Sequence, residues 1–97
     1  MIVSMMQVLI EIPESFSIKD KRQVVNSIKE TTIRKFRLSC AEVDLQDSLR
    51  FAQLGLALVS NSAEFGEKVM QKALAEIETG YPLRLHSWEI HSECFSQ

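Results

Sequence analysis

The side chains that could carry chemistry in this chain are crowded into one stretch and thinly scattered elsewhere. Between Ser17 and Arg37 stand seven basic residues, Lys19, Lys21, Arg22, Lys29, Arg34, Lys35 and Arg37, against two acids, Asp20 and Glu30. The 97-residue chain carries a net charge of −2, so this local positive surplus is balanced by an acidic remainder. At helical spacing Arg22, Asn26, Lys29, Ile33 and Arg37 fall on one stripe, which could hold a row of phosphates with a salt-dependent grip. The plainer reading is a solvated helix face, or a complement to the downstream acids Glu64, Glu67, Glu76 and Glu78. Other combinations are sparse. His86 and His91 are five apart, which on a strand sends them to opposite faces and keeps them from sharing an ion. His91-Ser92-Glu93-Cys94 holds ligand types but lies near the end of the chain, where a strand frays. Glu42 and Asp44 share a strand face with Asp47 close behind, yet no nucleophile stands beside them, and they read as edge-strand charges. Cys40 and Cys94 are too few for a disulfide framework and read as free thiols. No metal and no cofactor is expected.

The elements that must position these groups follow from composition and periodicity. With 45% apolar and 25% charged residues the chain reads as one globular domain over residues 1–97, which excludes disordered and fibrous classes. The near-neutral total gives no general attraction to DNA or to an anionic membrane. No basic leader and no long apolar run opens the sequence, so a cytoplasmic protein is expected. Residues 1–12 alternate as a strand, with Ile2, Ser4, Met6, Val8, Ile10 and Ile12 on one face, and Pro13 ends it. Ser17 with Asp20 marks a helix start, followed by Val24, Val25, Ile28, Thr32 and Phe36 at helical intervals. A second strand fits residues 38–45, with Ala41, Val43 and Leu45 together on one face. A third fits residues 51–59, with Leu54, Leu56 and Leu58 together. Asn61 with Glu64 is expected to cap a second helix whose buried face is Phe65, Val69, Ala73 and Ile77, and Gly80 to stop it. A last strand covers residues 83–91, and a bulge near His86 or Ser87 would bring Leu83 and Leu85 into phase with Trp88 and Ile90.

This order is the split βαβ pattern: α+β, a four-stranded antiparallel sheet with both helices on one face and the first and third strands central. Met6, Val8, Ile10, Leu54, Leu56, Leu58, Ala41 and Val43 are expected beneath the helices. The loop after the first strand, residues 12–17, holds an acid and no glycine, so an acylphosphatase-like phosphate cradle is absent.

At Ser17-Ile18-Lys19-Asp20-Lys21-Arg22, and again from Ala41-Glu42-Val43 through residues 54–61, the sequence resembles the YlxP-like family of small bacterial proteins, a domain of unknown function. The resemblance runs from residue 1 to about residue 92. It implies a ferredoxin-like fold, a cytoplasmic bacterial protein, a gene often lying among those for translation and ribosome maturation, and no established catalytic residue. After the second strand the family pattern often carries a histidine, a tryptophan and an arginine, where this chain has Leu45, Leu49 and Phe51.

Two surfaces follow. A non-enzymatic role is expected in which Lys19, Lys21, Arg22, Lys29, Arg34 and Arg37 contact ribosomal RNA or the small ribosomal subunit. The sheet face away from the helices should alternate to polar residues, but it would present Val3, Met5, Leu9, Leu38, Cys40, Phe51 and Val59. Leaving so many apolar side chains wet is costly, so a homo-oligomer through Val3, Met5, Leu9, Leu38, Phe51 and Val59 is expected. That face lacks the aromatic pair of an RNA-stacking sheet. The alternatives are a small-molecule-sensing or purely structural oligomeric domain, or an enzyme using Glu42, Asp44 or His86 at a subunit junction.

Overall fold

Alternation and capping set the architecture of the computed structural model, which describes residues 1–96. In chain order the elements are β1 (Ile2–Glu11), α1 (Ile18–Phe36), β2 (Ser39–Asp44), β3 (Phe51–Ser60), α2 (Ala63–Gly80) and β4 (Arg84–Cys94). The four strands form one antiparallel sheet in the order β2-β3-β1-β4, the ferredoxin-like α+β fold. β1 pairs with β3 without a break from Ile2 opposite Ser60 to Glu11 opposite Phe51. Its even-numbered residues therefore face the helices, and Ser4, Met6, Val8 and Ile10 are buried with Ala52, Leu54 and Leu56 of β3. Val25 and Ile28 of α1, with Met70, Ala73 and Ile77 of α2, complete the core. α2 lies over β1 and β4, and α1 lies over β2. The N-terminal turn of α2 comes down on the sheet at Gly66, where any Cβ would overlap the buried Ser4 side chain.

The expected bulge is present. Leu9 faces Ser87 and Ile10 faces Leu85, which leaves His86 as the extra residue and puts Leu85, Trp88 and Ile90 on one face. Other local expectations are corrected. Ser62, not Asn61, caps α2, its hydroxyl accepting from the Phe65 amide at 3.2 Å. That cap sets the helix phase so that Gly66, Met70, Ala73 and Ile77 are buried and Phe65 is exposed. Gly80 has no left-handed backbone; α2 ends because Tyr81 turns to an extended conformation. The residues His91 to Cys94 do not fray but continue β4 to the end of β1, with Cys94 opposite Ile2.

The largest correction concerns β2. Arg37 closes α1 in a left-handed conformation (φ 56°), which drops Leu38 into the core at 2% exposure. Leu38 is thus no part of the open sheet face. The strand that follows starts one step out of the expected phase. Cys40 and Glu42 point toward the helices beside Leu56 and Leu54, and Ala41 and Val43 lie on the open face.

Candidate functional site

The basic stripe is positioned by the start of α1. Ser17 Oγ accepts from the Asp20 amide at 3.1 Å, and Asp20 Oδ2 accepts from the Phe16 amide at 3.0 Å, a reciprocal cap that fixes the first turn. From that start Lys21, Val25, Ile28 and Thr32 fall on the buried side. Arg22, Asn26 and Ile33 stand one residue further round and are exposed, and Lys29 is half-buried on the same flank. Lys19, Arg34 and Arg37 are exposed as well. The acidic second helix takes up only part of this charge: Lys35 pairs with Glu76 at 2.9 Å, and Lys68 pairs with Glu64 within α2. Among the described residues Lys19, Arg22, Lys29, Arg34 and Arg37 form no ion pair.

Lys21 does not belong to that surface. It is 1% exposed, with Nζ 2.8 Å from Glu42 Oε2 and donating to the carbonyls of Leu45 and Ser48 at 2.7 and 2.6 Å. A buried ammonium needs such partners, and here they come from β2 and from the loop between β2 and β3. The same loop is held from its other side, where Ser15 Oγ donates to the Leu49 carbonyl and Arg50 Nε to the Ser15 carbonyl. Arg50 also stands over the exposed Phe16 ring, 5.1 Å from its centre. Lys21 is therefore a structural clamp. The signal was available in the sequence: positions 21, 25, 28 and 32 are one face of a helix, and only the charge of Lys21 argued against reading it as the inner one.

The open sheet face has no cover among the described residues, since both helices lie on the other side. Val3, Met5, Leu9 and Phe51 on it are partly exposed, and Val43 and Val59 are exposed. A shallow hollow of about 310 Å³ is lined by Met5, Gln7, Ser39, Ala41, Gly55 and Ala57, and a second of about 220 Å³ lies beside Met5, Gln7, Glu89 and His91. Gln7 and Gln53 join across the middle, with the Gln53 amide donating at 3.1 Å. The bulge changes the fate of the histidines: His86 sits against Phe51 and 2.8 Å from Glu11, on the same open face as His91, which lies opposite Met5 and 2.8 Å from Glu93. They do not point to opposite faces.

Among the described residues the candidate catalytic side chains do not converge within one chain. Glu42 is turned inward onto Lys21, Asp44 Oδ1 accepts from the Leu45 amide at 2.8 Å, and His86 lies on the opposite edge strand. Among the described residues no three His, Cys, Asp or Glu side chains gather as a metal site. Cys40 and Cys94 are free thiols, and burial pushes the Cys40 thiol pKa up, against smaller opposing effects of a Thr32 hydrogen bond and the Lys29 charge. Among the described residues no helix is long and apolar enough to cross a membrane.

Comparison with known proteins adds a family. Residues 3–90 match the family described as "Protein of unknown function (DUF503)". The chain belongs to the DUF503 family. It is also similar to the uncharacterized protein YlxP of Bacillus subtilis (strain 168), at 36% identity over 63 residues, covering 65% of this chain and 68% of that protein. The YlxP-like resemblance carried by the Ser17–Arg22 and 41–61 segments is therefore sound. In this DUF503 chain the first of those segments supplies the α1 cap and Lys21, and the second supplies Glu42 and the loop that Lys21 holds.

Proposed function

We propose that this DUF503 protein is a non-enzymatic RNA-binding factor that acts on the small ribosomal subunit, in translation or ribosome maturation, through the exposed flank of α1. The observation that carries the reading is the set of cations that have no carboxylate partner among the described residues, Lys19, Arg22, Lys29 and Arg34 on one helix and Arg37 at its C-cap, in a chain of net charge −2. Four cations along the 19-residue helix, with Arg37 at its C-cap, suit a phosphate backbone better than an acidic side chain or a small anion. The likeness to a family whose genes often lie among translation and ribosome-maturation genes supports the ribosome as the source of that RNA. The role asks for no reaction, which fits a site built from cations alone.

The test is co-sedimentation with small ribosomal subunits. Binding is expected to weaken with salt, and Arg22→Glu with Lys29→Glu to weaken it further and flatten the salt dependence by about one to two units of log–log slope. Circular dichroism confirms that the double variant is folded. Sedimentation unchanged in a folded double variant removes the α1 flank from the reading. Lys21 is left out of the design because reversing a buried charge tests folding, not contact.

A further inference from the structure

We propose that the open sheet face is the interface of a symmetric homodimer, in which Leu9 and Phe51 of each copy pack on Met5, Ala57, Val3 and Val59 of the other. This goes beyond the RNA reading and stands on different residues. The sheet is apolar on both sides, and its helices roof only one of them. On the uncovered side the apolar residues are not scattered. Val3, Met5 and Leu9 of β1 lie directly beside Val59, Ala57 and, one pair further on, Phe51 of β3, so they form two apolar clusters on either side of the Gln7–Gln53 pair.

The patch has the anatomy of an interface. Most of its charged residues lie along one margin, where β4 carries Arg84, Glu89, His91 and Glu93, and Glu11 at the end of β1 is paired with His86. The apolar clusters thus flank a central Gln7–Gln53 pair inside a polar rim. Strands about 4.8 Å apart and about 3.4 Å per residue give this four-stranded sheet roughly 600 Å² in plan. Side-chain relief raises the accessible area toward the roughly 800 Å² per partner of a stable interface.

Self-complementarity selects a second copy as the occupant. Two apolar clusters lie at opposite ends of the same two strands: Leu9 and Phe51 at one end, Met5, Ala57, Val3 and Val59 at the other, with Gln7 and Gly55 between them. A two-fold axis across the strands near the Gln7–Gln53 pair exchanges those ends, so each apolar cluster meets the opposite cluster of the other copy and both contacts are made at once. It also brings two Gln7–Gln53 pairs together, where their remaining amide groups can satisfy one another.

Light scattering at micromolar to about 100 μM protein reads the mass. Twice the chain mass is expected for the wild type, and a monomer is expected for Met5→Glu and for Ala57→Glu, each checked for native circular dichroism. A wild type that stays monomeric overturns the proposal, as does a dimer that persists in either folded variant. Should both variants fail to fold, the wild type alone decides by methionine-methyl NMR with a soluble paramagnetic probe. Met5 is expected to be shielded at high concentration and bleached on dilution, and a Met5 methyl bleached throughout overturns the proposal.

Discussion

Lys21 shows how a single position can carry opposite meanings in a sequence and in a fold. Its ammonium touches one carboxylate and two carbonyls, and all three belong to the strand and loop that follow α1. Removing it leaves Glu42 and those carbonyls without their donor, so Lys21→Met is expected to cost about 3 kcal/mol of stability in urea unfolding. Lys19→Met, two residues away and exposed, is expected to change stability by less than about 0.5 kcal/mol. Equal effects of the two substitutions would remove the clamp from the account. Charge type alone assigned Lys21 to the surface with its neighbours, because an isolated sequence does not show that a carboxylate, Glu42, is waiting on the inner face of a strand.

Strands and helices differ in how well they could be read. β1 and β3 were legible to within a residue or so because their alternation is unbroken and both lie in the middle of the sheet. The β4 bulge was legible too, since only an extra residue reconciles Leu85 with Trp88. β2 was not. It is a six-residue edge strand with apolar side chains on both faces, Cys40 on one and Ala41 and Val43 on the other, and its phase is set outside it by the left-handed Arg37. Thiol chemistry reports that phase. Cys40 faces the core with its pKa raised above the ordinary 9.0, whereas Cys94 is exposed, so iodoacetamide at pH 8 is expected to label Cys94 at least tenfold faster. A raised thiol pKa also means that the unfolded chain loses the proton first, so stability is full below pH 9.0 and falls as pH climbs through it. Cys40→Ala is expected to lack that part of the alkaline decline in a pH series of unfolding midpoints.

For the whole molecule, the order of elements was enough to give the βαββαβ topology, and what escaped was which residues the two surfaces contain. Leu38 left the open face because the left-handed Arg37 cap turns it into the core, and Lys21 left the basic flank because its charge masked a position on the buried side of α1. The two proposed surfaces answer to different forces, and salt separates them. Raising salt from about 50 to 500 mM is expected to release RNA from the α1 flank, measured by fluorescence anisotropy, and to leave the apolar dimer intact by light scattering. A dimer that dissociates with the RNA would place charge, not apolar area, at its centre.

Both helices lie in the layer opposite the open sheet, and this has a geometric result for a pair of copies. Stacked helix–sheet–sheet–helix at about 10 Å per layer, the two α1 segments end up roughly 30 Å apart on outward, opposed sides. Such an object does not pinch one nucleic-acid strand from both sides. If both proposals hold, it is a double-headed fastener, suited to tying together two segments of a folded RNA, each head raising the local concentration of the other.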